Sequence, residues 1–173
     1  MVPIELAWFI IVFIFGVVGI VRGFLKELGV TTVMLVMLFG VITFENRLTP
    51  LLTRVATRVA PGDVATLQAG FWLVLIVTTA FVSYHGHTLE VPGNPIKGPL
   101  GAALNLGVGL VNGYLIAGSV WFYLHRLGYP LLSIPPECLT PVAQALIPLL
   151  PPKLLAPYLL YLVLFLVLMR VIR

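Results

Sequence analysis

The residues able to carry chemistry are few, and where they stand matters more than how many there are. The acids are Glu5, Glu27, Glu45, Asp63, Glu90 and Glu137, and each falls at the end of an apolar run or in a connection between runs. Charge at the centre of a membrane is costly and is usually kept there for transport. Acids confined to the ends therefore argue against a proton-driven transporter or an ion pump. The histidines are His85, His87 and His125. His85 and His87 flank Gly86 with only Glu90 near by, too few ligands for a metal centre. A neutral histidine there has two other chemical uses, ligation of a tetrapyrrole metal or a hydrogen bond to a quinone. The plainer reading is a polar boundary at the end of an apolar helix. No cofactor is expected, and any pigment or quinone contact would fall to His85 and His87. Ser83, Ser119 and Ser133 have no base beside them, and the chain contains no phosphate-cradling loop, HExxH or GxSxG. The single cysteine, Cys138, makes no internal disulfide. These readings point away from an enzyme.

The most patterned segment is residues 100–124. Gly101, Asn105, Gly109, Gly113 and Ala117 recur every four residues, and Asn105, Asn112 and Ser119 every seven. On a helix the two rows make one face of small and polar side chains. Small residues let helix backbones approach closely, and buried amides bond across helices. The face is expected to serve helix packing or partner docking, with a polar path along Asn105 and Asn112 as the sharper alternative. Gly19 and Gly23 repeat the small-residue spacing near the end of the first run.

The elements that position these residues are apolar. Hydrophobic residues make up 60% of the 173-residue chain and charged residues 9%, with a mean hydropathy of +1.11. A water-facing domain carries roughly 25% charged residues, so lipid is expected to surround much of this molecule. Five runs, at 4–21, 28–44, 67–84, 100–124 and 154–169, approach the roughly 20 residues needed to cross a hydrocarbon core. The expected fold is all-α: a polytopic membrane bundle of about five transmembrane helices plus one interfacial amphipathic helix. That last helix is placed at residues 49–60, where Arg47, Arg54 and Arg58 share one face among leucines and valines, Pro50 suits a first turn and Pro61-Gly62 a stop. The chain is expected to divide into a four-helix membrane domain at 1–124, a proline-rich connection at 125–153 with an interfacial or re-entrant helix at 141–150, and a last crossing at 154–173. The first run has no basic residue ahead of it and is read as retained, not as a cleaved signal.

The net charge of +4 does not point to nucleic acid, because the basic residues are spread between apolar runs. They suit headgroup contact instead. Their split between the two sides is even, and the two on the C-terminal flank of the first helix lean towards an outside N-terminus. In the first connection Arg22 is expected to reach outward to headgroups, Gly23 to allow a sharp turn, Phe24 to re-enter the interface, and Lys26 and Glu27 to begin the returning helix.

Two segments carry a family resemblance: GIVRGFLKELGVTTVMLVMLFG at 19–40 and KGPLGAALNLGVGLVNGYLIAG at 97–118. The first has Arg22-Gly23-Phe24 followed by Lys26 and Glu27; the second opens with Leu100-Gly101 and continues with Gly109 and Gly113. Together they resemble the bacterial colicin V production protein (CvpA) family. The resemblance covers roughly residues 4–124. It implies a multi-pass protein of the bacterial inner membrane, tied to secretion or envelope homeostasis, acting as a scaffold or accessory without catalytic chemistry. Two other roles stand beside it. One is a small accessory subunit of a respiratory or photosynthetic complex, docking through the Gly-Asn face or through Trp8, Trp72 and Trp121. The other is an oligomeric transporter or channel. The expected partners are the lipid bilayer and other membrane subunits or further copies of this chain.

Overall fold

The computed structural model describes residues 3–85, 93–94, 96–132 and 134–171. Helix α1 covers Ile4–Arg22, α2 Phe24–Val59, α3 Val64–His85 and α4 Gly98–Arg126. Short elements follow: α5 at Pro141–Leu146, α6 at Pro151–Leu155 and α7 at Leu159–Val171, with 3-10 turns at Pro136–Cys138 and Ile147–Leu149. Among the described residues there is no strand, and the four helices α1 to α4 are long and apolar enough to cross a membrane.

The structure departs from the sequence expectation in α2, which has no boundary near residue 45. It runs for 36 residues, about 54 Å at the usual rise. Pro50 lies inside it and not in the first turn of a new helix. Leu38, Val41, Leu48, Leu52 and Ala56 keep a spacing of three, four or seven residues, and Leu48 and Leu52 extend the packed face begun by the first two. Pro50 falls on the other side, exposed. It lacks the N–H that would bond to Asn46, and Asn46 is itself exposed, so solvent or headgroups can take that carbonyl. Ala60 still donates its N–H to Ala56 at 2.8 Å, and Pro61-Gly62 then turns the chain into α3.

A second departure concerns the last apolar run. A single helix from residue 154 is expected, but α6 ends at Leu155 and α7 begins at Leu159, with Pro157 between them. The segments Pro141–Leu155 and Leu159–Met169 meet at 55°. Proline removes an interior helix hydrogen bond and crowds the preceding turn. With 13 residues, α7 is about 20 Å long, short of a hydrocarbon core of about 30 Å.

Helix α4 is the hub, packing on α1, α2, α3 and α6. Its crossing with α1 is backbone against backbone. A Cβ at Gly109 would strike the carbonyl of Phe15 and lie 2.9 Å from the Cα of Gly19; one at Gly113 would lie 2.8 Å from the Cα of Val12. The main core joins Met34 and Leu38 of α2, Trp72 and Ile76 of α3, Leu115 and Tyr123 of α4, and Leu159 of α7. Trp72 stacks on Tyr123 with ring centroids 4.7 Å apart. A second cluster around Trp121, Tyr129, Leu139, Ala143 and Leu150 ties the proline-rich connection to the end of α4.

Candidate functional site

The two ends of this bundle hold its polar chemistry. At one of them the chain reverses between α1 and α2 at Gly23, whose φ of 90° is one that residues with a Cβ rarely adopt. The turn delivers Arg22 and Glu27 to the same place. Helix α3 brings Tyr84 in its last turn, and α4 brings Asn105 and Asn112.

Glu27 is fully buried, and its carboxylate accepts three hydrogen bonds. Arg22 Nη1 donates to Oε1 at 3.1 Å. Tyr84 donates its hydroxyl to Oε2 at 2.9 Å, and Asn112 Nδ2 donates to the same oxygen at 2.7 Å. Asn112 Nδ2 also donates to the Glu27 carbonyl at 3.0 Å, while its Oδ1 accepts from the Thr31 hydroxyl at 2.7 Å. Arg22 Nη2 donates to the Tyr84 carbonyl at 3.1 Å, and the guanidinium lies 4.4 Å from the centre of the Tyr84 ring. Two turns earlier on α4, Asn105 Oδ1 accepts from the Phe24 N–H at 2.7 Å, satisfying an orphan donor at the start of α2. Four helices are thus joined through one carboxylate. Burying a charge costs several kcal/mol unless its partners are in place, and here each comes from a different helix turn.

This arrangement corrects the expected role of Arg22. Its side chain is 23% exposed and turns inward instead of reaching out. The buried carboxylate of Glu27, to which Arg22 donates at 3.1 Å, accounts for the change. The site also revises the reading of the acids. Glu27 is buried inside the first turn of α2, and Glu45 lies within α2, where it forms an ion pair with Arg126 of α4.

The small-residue face of α4 is spent on its own chain. Gly109 and Gly113 meet α1, Asn105 and Asn112 meet α2, and Ala117 and Ser119 are buried. Gly101 is crowded by the backbone of Ile96 just ahead of the helix. Phe24 starts α2, and Lys26 in its first turn is exposed and engaged in an interaction. Arg47, Arg54 and Arg58 are all exposed along the second half of α2. His85 is exposed, its ring packed on Phe81 with centroids 4.2 Å apart. His87 lies outside the described residues. Among the described residues no three His, Cys, Asp or Glu side chains are placed to hold a metal.

Sequence reasoning missed Tyr84 and Thr31. Thr31 follows Glu27 by four residues, so the two share a helix face, and that spacing was a readable signal. Nothing local marks Tyr84, which lies 57 residues from its partner.

At the opposite end, Glu5 Oε1 accepts from the Thr140 hydroxyl at 2.7 Å, and Thr140 Oγ1 accepts from the Ala143 N–H at 3.1 Å, capping α5. Trp121 Nε1 donates to the Tyr129 hydroxyl at 2.9 Å. Tyr129 has a positive φ of 57°, and burial pushes its phenol above the ordinary value. Thr140→Val removes both the cap and the Glu5 partner. An expected loss of about 1–2 kcal/mol would appear as a lower thermal midpoint in detergent; an unchanged midpoint would mean that packing alone holds α5.

No family model, curated protein or solved structure matches this chain.

Proposed function

We propose that this chain is a multi-pass scaffold or accessory protein of the bacterial inner membrane, related to export or envelope homeostasis as its resemblance to the CvpA family implies, and without catalytic chemistry. One observation carries the reading. The polar residues at the Gly23 end of the bundle are closed on each other, as a structural joint between helices would be: both carboxylate oxygens of Glu27 are occupied by Arg22, Tyr84 and Asn112. What α1 offers outward is apolar. Helix α1 exposes Phe9, Ile10, Phe13, Ile14, Val17 and Ile20, a surface suited to lipid or to other membrane helices. In this reading α1 to α4 cross the bilayer, the second half of α2 lies at its interface, and α5 to α7 make a fifth, bent crossing. Asn105 and Asn112 are both bonded to α2, which favours the scaffold reading over the transport alternative.

An accessory-subunit role is the second reading. A cavity of about 350 Å³ opens between α1, α3 and α4, with Trp8, Ile11, Val77, Val120 and Trp121 in its wall. Its apolar, aromatic lining suits a quinone or pigment tail from a neighbouring subunit.

Mild-detergent extraction from native membranes, with mass spectrometry of what travels with the chain, separates the two. The scaffold reading expects the chain alone, with itself or with export components, and expects deletion to alter secretion or envelope-stress tolerance. A fixed-stoichiometry particle of respiratory or photosynthetic subunits would replace it with the second reading.

A further inference from the structure

The second half of α2 joins two features that suit one ligand. Arg47, Arg54 and Arg58 stand seven and four residues apart, which places them on one face of the continuous helix. All three are exposed, and among the described residues no acid pairs with them. The nearest acid in the sequence after this row, Asp63, lies beyond the Pro61-Gly62 turn, and Glu45 before it is taken by Arg126. Beside the arginines along the helix run Leu51, Val55 and Val59, also exposed. Next to them is a groove of about 200 Å³ between α2 and α3, lined by Leu52, Val55, Val59, Leu67 and Phe71. Gln68 Nε2 donates to Thr53 Oγ1 at 2.8 Å, which holds the two helices together there.

We propose that this corner is a binding site for an anionic phospholipid, with the phosphate on Arg54 and Arg58 and an acyl chain along the groove. A guanidinium pairs with phosphate through paired donors. Residues four apart on a helix stand about 6 Å from each other, close enough to share one headgroup. The site rests on the reading above, in which α2 leaves the hydrocarbon core near Phe44, about 20 residues from its start, and its second half lies at the interface, holding Arg54 and Arg58 at the headgroup layer. Apolar Val55 and Val59 lie between the cations and the groove, as the glycerol and upper acyl carbons of a lipid require. An acidic soluble partner would account for the arginines but not for the valines or the groove.

The test is lipid retention. The full chain is reconstituted in phosphatidylcholine nanodiscs containing a minority of phosphatidylglycerol, and retained lipid is counted by native mass spectrometry. Arg54→Gln with Arg58→Gln is expected to lower retained phosphatidylglycerol about thirty-fold, from the usual attraction of two surface cations to anionic lipid. Arg54→Lys with Arg58→Lys keeps the charge but loses the paired donors, and is expected to retain lipid between the wild-type and glutamine levels. Val59→Trp, which fills the groove with the arginines intact, is expected to lower retention as well. Unchanged retention in the glutamine variant, an equal loss in Lys153→Gln, or an equal loss in the lysine and glutamine variants would each overturn the proposal. So would phosphatidylcholine held as tightly as phosphatidylglycerol.

Discussion

Glu27→Ala is expected to loosen the end of the bundle where α1, α2, α3 and α4 meet. It strips partners from Arg22, Tyr84 and Asn112 in one step. Arg22→Ala acts from the other side, leaving a fully buried carboxylate without its cation. Removing one member of a buried pair typically costs about 3–5 kcal/mol, so either change should take much of the stability of a small domain. The pair is also expected to be strongly non-additive: the double variant Arg22→Ala/Glu27→Ala should cost less than the sum of the two, since no lone charge is left behind. Thermal unfolding in detergent across the four proteins of that cycle measures the coupling. Additive losses, each below about 1 kcal/mol, would match an exposed ion pair and would remove the buried knot as the organising feature. Glu27→Gln is a finer probe. It keeps the shape and one acceptor oxygen but faces an amide N–H₂ towards donors, so it is expected to fall between wild type and alanine.

The second large effect is expected at the α1–α4 crossing, and its sign depends on which glycine is changed. Gly109→Ala sets a methyl against the Phe15 carbonyl and within 3.0 Å of the Cα atoms of Gly16 and Gly19. These are backbone atoms, so no rotamer can relieve the clash and α1 must move away. Overpacking of this kind costs about 1–3 kcal/mol, and more where it also pulls Asn105 from the Phe24 N–H. Gly107, two residues earlier on the same helix, has nothing within 4 Å of its added Cβ. Gly107→Ala is therefore expected to be neutral or to stabilise by about 0.5–1 kcal/mol, the ordinary gain of alanine over glycine in a helix. Thermal midpoints of the two variants in one detergent decide the matter. Equal midpoints would show that α1 and α4 do not meet closely in solution.

Those two glycines also show how far the sequence could be read. The four-residue spacing of Gly109 and Gly113 was legible as a packing face, because helical geometry puts such residues in one row. The face it meets was only half legible: the weaker four-residue spacing of Gly19 and Gly23 marked one of the two contacting glycines, and Gly16 stood unmarked in a run of large apolar side chains. Asn105 and Asn112 were likewise visible as a row. Their partners on α2, the Phe24 N–H and Glu27, lie 81 and 85 residues away, so no local pattern joins them even though Gly23 was readable as the turn. The apolar runs of α1, α3 and α4 were found close to their observed bounds, because length and hydropathy are local properties. The end of α2 was misplaced because Pro50 and three arginines look like a new element. The continuing row of Leu48, Leu52 and Ala56, which keeps the helix going, was present in the sequence but outweighed. In the last run, Pro157 was passed over for the opposite reason, its neighbours being uniformly apolar.

The span of chain enclosed by the Glu27 knot has a consequence for how the protein is made. Asn112 is 85 residues downstream of Glu27. At ordinary rates of elongation, about 5–20 residues per second, the ribosome needs about 4–17 s after adding Glu27 to add the amide that will bind it. Tyr84 arrives within that interval, and Arg22 is present from the start. Until Tyr84 is added the α1–α2 hairpin holds its acid with one partner only, and until Asn105 is added the Phe24 N–H has none of the cover that residue later gives. The nascent hairpin is therefore an unfinished object that becomes a stable one only when α4 is laid beside it. A chain stopped before α4 lacks both amides that close this end on α2, and is not a smaller version of the same protein.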